Sequence, residues 1–168
     1  MRIKILATII TAALCAQAFA APSIKTYDLT VPQTKQSAVI DATNKFMATE
    51  KGKSYKGSLH LNSYLANGIN PATHSFVLLM DSVADIAEWE NSLVGNPDIM
   101  EFWAALEANS TPVSQYMGSL VKTWGDISND DRVWQATRFY STDPMAMLAA
   151  MDKMMASTGK KFPGQTAI

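Results

Sequence analysis

Apolar residues follow two different periods along the chain, and the changes of period predict a series of strands and helices. A period of two residues is typical of a strand with one covered face, whereas apolar positions three and four residues apart predict a helix. The run 76–80 is apolar on both faces and predicts that the strand at 74–81 is central. The order is strand, helix, strand, strand, helix, strand, with predicted spans 23–30, 33–52, 58–66, 74–81, 83–108 and 113–127.

Turn and cap residues separate these elements. Ser82 predicts the cap of the second helix, residues 95–97 (Gly-Asn-Pro) predict a break within it, and Asn67-Gly68 marks a turn between the two middle strands. Asp143 predicts the cap of a further helix. The βαββαβ order predicts an α+β fold, with a ferredoxin-like antiparallel sheet that carries its helices on one face.

A stretch of the first predicted helix occurs twice. Residues 38–57 read AVIDATNKFMATEKGKSYKG and residues 146–164 read AMLAAMDKMMASTGKKFPG, with one residue near Glu50 left unpaired. A strand predicted at 132–140 precedes the second copy. We therefore expect a first unit at 21–128 and the beginning (βαβ) of a second, incomplete one at 129–168. Either the second unit continues in a longer protein, or the last segment completes the first sheet. The identical positions are Ala38, Ala42, Lys45, Met47, Ala48, Gly52, Lys53 and Gly57, matched by Ala146, Ala150, Lys153, Met155, Ala156, Gly159, Lys160 and Gly164.

With this element order and repeat, the chain resembles the dimeric α/β-barrel superfamily in its tandem-repeat form. The resemblance lies in element order and repeat length over residues 23–168. It implies that two ferredoxin-like units pack sheet to sheet, so we expect self-association or pairing with a second unit. It also implies two kinds of enzyme as alternatives, namely haem-binding members held by a histidine and monooxygenases that need no cofactor.

The first twenty residues predict a secretory signal peptide. Arg2 and Lys4 precede an apolar run at 5–15, and residues 18–20 (Ala-Phe-Ala) form a cleavage site of the A-x-A type. We expect a mature chain that begins at Ala21 and is periplasmic or secreted. The intact mass of the exported protein tests this, and residues 1–20 retained in a membrane pellet would contradict it.

Cysteine content and charge exclude several classes of protein. Cys15 is the single cysteine and lies in the predicted signal peptide, so we expect neither disulfide nor cysteine ligand in the mature protein. Loss of Arg2 and Lys4 would take the formal net charge from −1 to −3. Because a nucleic-acid partner calls for a basic surface, we expect none. The apolar run at 5–15 is shorter than the ~20 residues of a membrane span, so we expect no stable membrane association.

Two histidines flank the predicted turn between the middle strands. Pairing of those strands is expected to bring the side chains of His60 and His74 within reach of each other, which would suit ligation or acid/base chemistry. No carboxylate lies between them to complete a metal set, so we predict no metal site and no cofactor. An ordinary hydrogen bond at a strand end is the favoured interpretation. The resemblance keeps His74 as a candidate haem ligand.

Aromatic and methionine residues are interpreted mainly as core. The methionines of the second repeat copy lie at helical spacing, which favours a core face over a copper(I) site. The aromatic residues could instead line a pocket for an apolar ligand. They are Trp89, Phe102, Trp103, Tyr116, Trp124 and Trp134.

The functional prediction is an exported domain that binds a small apolar molecule in a sheet-to-sheet cavity, with the two enzyme types as the alternative. No Gly-rich phosphate loop, G-x-S-x-G or H-E-x-x-H motif occurs, and no catalytic residue is assigned. The loop 66–73 is expected to mark one end of the cavity, because binding groups concentrate on loops carried by a rigid sheet. The predicted ligand-binding residues are His60, Tyr64, Asn67 and His74 at that end, with Trp103 and Tyr116 deeper inside.

Overall fold

The computed structural model describes residues 21–124, 137, 140–158 and 166–167. The predicted signal peptide at 1–20 and most of the predicted strand at 132–140 lie outside these residues. The chain divides into two units between Ser119 and Leu120, earlier than the predicted boundary at 128. The elements are β1 Ser23–Thr30, a 3-10 turn Gln33–Lys35, α1 Gln36–Ala48, α2 Glu50–Lys53, β2 Ser58–Ser63, β3 His74–Met80, α3 Val83–Leu93, α4 Pro97–Asn109, β4 Thr111–Ser119, β5 Thr123–Trp124, α5 Pro144–Thr158 and β6 Thr166–Ala167.

The first unit is built on a four-stranded sheet in the order β2-β3-β1-β4. Every pair of neighbouring strands is antiparallel, and β1 and β3 are central. This is the strand order of the ferredoxin-like βαββαβ fold, so the predicted fold class is confirmed.

The two faces of the sheet differ because successive residues of a strand point to opposite sides. On one face, Tyr27 pairs with Phe76 and Leu29 pairs with His74. We call this the helix face, because α1, α3 and α4 pack their apolar residues against it. Its buried core consists of Leu29, Val31, Val39, Phe46, Phe76, Met80, Ile86, Trp89, Ile99, Phe102 and Leu106.

The second helical segment is two helices, as the predicted break requires. Ser82 caps α3, and its Oγ accepts a hydrogen bond from the backbone N of Asp85 at 3.1 Å. After α3 the chain turns at Gly95, whose φ of 72° favours glycine. The Asn96 side chain then caps α4, which begins at Pro97. Local cap chemistry therefore explains both helix starts.

The first helix ends earlier than predicted. Thr49 has an extended backbone with ψ of 162°, and its Oγ1 accepts a hydrogen bond from the N of Gly52 at 3.0 Å, which starts α2. The predicted helix 33–52 is thus a 3-10 turn followed by two helices. The break falls beside Glu50, where the first repeat copy carries its unmatched residue.

The second unit is smaller, and its described part contains β5, α5 and β6. The predicted strand 113–127 ends at Ser119, and Thr123–Trp124 pairs with Thr166–Ala167 in a separate two-stranded sheet. Asp143 Oδ1 accepts from the N of Ala146 at 2.9 Å, as expected of a cap. Residues 38–48 and 50–53 of the first copy and 146–158 of the second are helical, and the duplication itself stays a prediction.

An ion pair joins Lys122, the residue before β5, to Asp152 on α5 inside the second unit. Asp152 Oδ1 accepts from Lys122 Nζ at 2.5 Å and from Trp124 Nε1 at 3.0 Å. The hydrogen bond from Lys122 lowers the pKa of the Asp152 carboxyl. On α5, Met155 is buried while Met145 and Met154 are exposed. None of the helices among the described residues is both long enough and apolar enough to span a bilayer.

Candidate functional site

A cavity of about 390 Å³ lies between the helix face of the sheet and helices α1, α3 and α4. Aromatic side chains make up nearly half of its lining, and most of the remainder is aliphatic or methionine. One carboxylate, that of Glu90 on α3, also faces it. The site is therefore an apolar space with a single charged group.

The aromatic side chains pack against one another around the cavity. Phe102 stacks on Phe46 with ring centroids 5.2 Å apart and meets Phe76 edge to face at 5.9 Å. Trp103 meets Tyr27 edge to face at 6.0 Å. Such contacts add to the area burial of the rings and hold them in place. These side chains form walls supported by α1, α4 and the sheet.

Another part of the wall is made by Tyr55 and Trp89, whose rings meet edge to face at 5.0 Å. Tyr55 Oη donates a hydrogen bond to the backbone O of Leu79 at 3.2 Å. Burial raises the pKa of Tyr55 to about 12, so the hydroxyl stays protonated and keeps donating at neutral pH. Lys51 Nζ lies 5.3 Å from the Trp89 ring centroid, on the edge of this wall.

At the polar end of the cavity, Tyr27 and Glu90 line the space, and Lys25 joins them in a cluster by binding Glu90 from outside the lining. Lys25 and Tyr27 are two residues apart on β1 and so share the helix face. Lys25 Nζ and Tyr27 Oη, the latter at 2.7 Å, both donate to Oε1 of Glu90. Because α3 crosses β1, one carboxylate joins two positions of the central strand.

Protonation of this cluster follows from its surroundings. Burial alone would lower the pKa of Lys25, but the hydrogen bonds and charges of Glu90 and Tyr27 raise it above its ordinary value. Burial, helped by Glu90, raises the pKa of Tyr27. At neutral pH the ammonium and the phenol therefore both hold their protons and donate to the carboxylate.

The rim of the cavity exposes apolar surface. Val94 follows α3, and Met100 and Trp103 lie on α4, with Met100 63% and Trp103 41% exposed. Exposed apolar residues that adjoin one another often mark a binding surface, whereas scattered ones need no explanation. The rim therefore offers exposed apolar side chains that an apolar ligand could contact and cover.

The other face of the sheet, which we call the polar face, carries a row of polar residues across all four strands. Asn62 pairs with Ser75, Ser75 with Asp28, and Asp28 with Ser114. Asp28 is buried, and its two carboxylate oxygens accept from Tyr64 Oη at 2.9 Å and Ser114 Oγ at 2.8 Å. Burial raises the pKa of Tyr64, so its hydroxyl remains a donor.

Three of the predicted site residues lie on the polar face. Tyr64 binds Asp28, Tyr116 pairs with Thr26, and His60 pairs with Val77. Thr26 Oγ1 is buried and has no hydrogen-bond partner in the described part of the chain. A second sheet facing these residues is implied by the superfamily resemblance, and both that sheet and self-association stay predictions.

The predicted proximity of the two histidines is wrong. His60 pairs with Val77 and His74 pairs with Ser63, so the two side chains point to opposite faces of the sheet. His74 is 8% exposed on the helix face, and its Nδ1 lies 2.9 Å from Thr73 Oγ1. Burial lowers the pKa of His74. It is not among the residues that line the cavity, so its favoured interpretation as an ordinary strand-end histidine fits the structure.

Of the two remaining predicted residues, Asn67 lies in the loop between β2 and β3, and Trp103 lies in the wall of the cavity. Asn67 Nδ2 donates to the backbone O of Ala72 at 2.9 Å and thereby holds the loop between β2 and β3. Sequence reasoning missed Lys25, Tyr27 and Glu90. The one signal was that Glu90 lies at helical spacing with the apolar residues of the stretch 83–93. Its partners on β1 depend on how α3 crosses the sheet.

Metal binding has no obvious place among residues 21–124 and 140–158. No three His, Cys, Asp or Glu side chains there are close enough to hold an ion. The absence of a metal or cofactor stays a prediction for the whole chain.

Comparisons with known proteins find no matching family model and no curated protein of similar sequence. Among solved structures, a Bacteroides thetaiotaomicron protein of unknown function, described as a possible oxidoreductase, is 8% identical with a TM-score of 0.45, over 60% of this chain and 98% of that one. An Agrobacterium tumefaciens protein of the NIPSNAP family, of unknown function, is 18% identical with a TM-score of 0.41, over 61% and 88%. A dimeric ferredoxin-like protein of unknown function from Bacteroides fragilis is 10% identical with a TM-score of 0.35, over 59% and 94%. Similarity this low carries neither activity nor partner to this chain.

Proposed function

We propose that the first unit binds one small apolar molecule in the cavity between its helices and its sheet. The observation that carries this proposal is an aromatic-lined space of about 390 Å³ with an exposed apolar rim. Ligand pockets usually have volumes of about 300–1,000 Å³, mostly apolar walls and a few polar groups that orient the ligand. The cavity has these properties, with the cluster of Lys25, Tyr27 and Glu90 as its polar end.

The cavity is open to solvent at its rim, so its apolar walls face water there instead of packed protein atoms. Exposed apolar surface is unfavourable, and the lining atoms lack the dispersion contacts that neighbouring atoms would supply. A ligand that fills the space would restore those contacts for Phe102 and its neighbours, and it would cover Trp103 and Met100 at the rim.

The proposed cavity differs from the predicted sheet-to-sheet cavity, which would lie on the polar face. Substitutions at Trp103 and Tyr116 can distinguish the two sites, because Trp103 lines the helix-side cavity while Tyr116 lies on the polar face. They are matched in exposure, at 41% and 37%. Substitution of each by alanine is therefore a paired test.

We expect Trp103→Ala to weaken binding of naphthalene about tenfold, since the ligand loses a large flat contact worth about 1.4 kcal/mol. Tyr116→Ala should leave the affinity within about twofold of the unsubstituted protein. Competition with an environment-sensitive fluorescent dye measures both affinities, and circular dichroism checks that both variants fold. Loss of binding in Tyr116→Ala with none in Trp103→Ala would contradict the helix-side cavity and favour the polar face.

The enzyme alternatives, a haem protein or a cofactor-free monooxygenase, have less support. His74 does not line the cavity, so a haem there would lack the histidine that the resemblance suggested. Tyr27 and Glu90 do line the cavity, yet ligand binding alone accounts for them. Export stays a proposal as well, and it would put ligand binding in the periplasm or outside the cell.

A further inference from the structure

We propose that the cavity selects apolar molecules bearing one hydrogen-bond donor, a hydroxyl or an amine, and that the Glu90 carboxylate accepts this donor. The inference rests on the proposed ligand binding and specifies its ligand class. Glu90 would act as the specificity-determining residue.

Glu90 retains acceptor capacity. An ionised carboxylate has two oxygens and can accept about four hydrogen bonds. Lys25 Nζ and Tyr27 Oη both donate to Oε1, and no other hydrogen bond to Glu90 comes from residues 21–124. Oε2 is therefore available to a donor on a molecule in the cavity that Glu90 lines.

The neighbouring hydroxyls have no such spare hydrogen. Tyr27 uses its hydroxyl hydrogen for Glu90, and Tyr55 uses its own for the backbone O of Leu79. The indole N–H groups of Trp89 and Trp103 remain as neutral donors. Hydrogen bonds to an ionised group are roughly twice as strong as neutral ones, so the carboxylate of Glu90 should dominate selection.

Lys25 keeps Glu90 in place as a positioning residue. Its side chain is 17% exposed and forms an ion pair with the Glu90 carboxylate, and its Nζ lies 5.2 Å from the Tyr27 ring centroid. Lys25 does not line the cavity, and its ammonium donates to Glu90, so it is not placed to meet an anionic ligand there. A ligand carboxylate would instead stand beside that of Glu90, and like charges in a partly desolvated site repel.

Two kinds of molecule are therefore disfavoured. An apolar molecule without a donor would remove water from Oε2 and return no hydrogen bond, which is costly for a charged acceptor. An anionic molecule would add repulsion. We expect a donor-bearing molecule to bind at least about tenfold more tightly than its unsubstituted parent, and the matching carboxylate to bind most weakly.

Three probes of one shape test this in the full chain, namely naphthalene, 2-naphthol and 2-naphthoate, with affinities measured by calorimetry at neutral pH. In the unsubstituted protein we expect 2-naphthol to bind most tightly, naphthalene less tightly and 2-naphthoate most weakly. Glu90→Gln should reduce the preference for 2-naphthol over naphthalene to about twofold and relieve the rejection of 2-naphthoate. Glu101→Gln is the matched control, since Glu101 is an exposed carboxylate paired with Lys45 and does not line the cavity.

The outcomes separate the two proposals. Equal binding of naphthalene and 2-naphthol to the unsubstituted protein would overturn the selection by Glu90 while leaving the apolar cavity in place as a binding site. Failure of all three probes to bind would overturn both. If Glu90→Gln proves too unstable to measure, tightest binding of 2-naphthoate to the unsubstituted protein would still refute the inference, and the expected order would support it.

Discussion

Replacing Phe102 with alanine should lower the free energy of unfolding of the first unit by about 4 kcal/mol, the middle of the range for buried Phe→Ala substitutions. Phe102 is buried at the centre of the helix face, where its ring stacks on Phe46 and meets Phe76 edge to face. Truncation removes contacts to α1 and to β3 at once and enlarges a cavity that already exists. Urea denaturation followed by tryptophan fluorescence and circular dichroism measures the change.

Met100→Ala is the matched control, because Met100 lies on the same helix two residues away and is 63% exposed. Its effect on stability should stay within about 0.5 kcal/mol, as is usual for surface substitutions. If Phe102→Ala cost less than about 1 kcal/mol, the ring could not be part of a packed wall. The cavity would then be a feature of a loosely packed region.

Much of the fold could be predicted because its signals are local. The cap at Ser82, the break at residues 95–97 and the alternation along β1 depend on residues close together in sequence, and the structure has them where expected. The end of α1 could not be predicted so well. Gly52 looked like the stop, whereas the Thr49 hydroxyl binds the Gly52 amide and interrupts the helix first.

The site depended on register, which the sequence leaves open. Every direct pair between β2 and β3 joins an even-numbered residue to an odd-numbered one. His60 and His74 are both even-numbered, so they point to opposite faces, and a shift by one residue would have brought them to the same face. The polar end of the cavity could not be predicted either, because Glu90 contacts Lys25 and Tyr27 only where α3 crosses β1.

Two glycines that are identical in both repeat copies lie where the chain comes very close to itself. A Cβ on Gly52 would lie 2.2 Å from the backbone O of Phe46, and a Cβ on Gly57 would lie 1.9 Å from the backbone O of Leu79. Neither has a positive φ. Close backbone approach therefore explains why the first copy has glycine at these positions, while their counterparts Gly159 and Gly164 lie outside the described residues.

Gly57→Ala is expected to destabilise the first unit by about 3 kcal/mol, the upper end of the usual cost of overpacking. The new methyl would collide with the carbonyl of Leu79, and Leu79 pairs with Ser58 at the start of β2. Because the colliding atom belongs to the backbone of a central strand, a side-chain rotation cannot relieve the contact. Relief requires β2 to move away from β3, which should appear as a lower midpoint in urea denaturation.

Gly118→Ala is the control for the intrinsic effect of adding a methyl group to a glycine. Gly118 lies in β4 on the polar face, and a Cβ there would have no heavy atom within 4 Å. Alanine in a strand interior loses less backbone entropy than glycine, so this variant should be unchanged or more stable by up to about 1 kcal/mol. We therefore expect Gly57→Ala to lower the free energy of unfolding and Gly118→Ala to leave it unchanged or raise it. If Gly57→Ala were as stable as Gly118→Ala, β2 could not approach β3 as closely as described, and the wall of the cavity that Tyr55 forms by binding Leu79 would have to be placed differently.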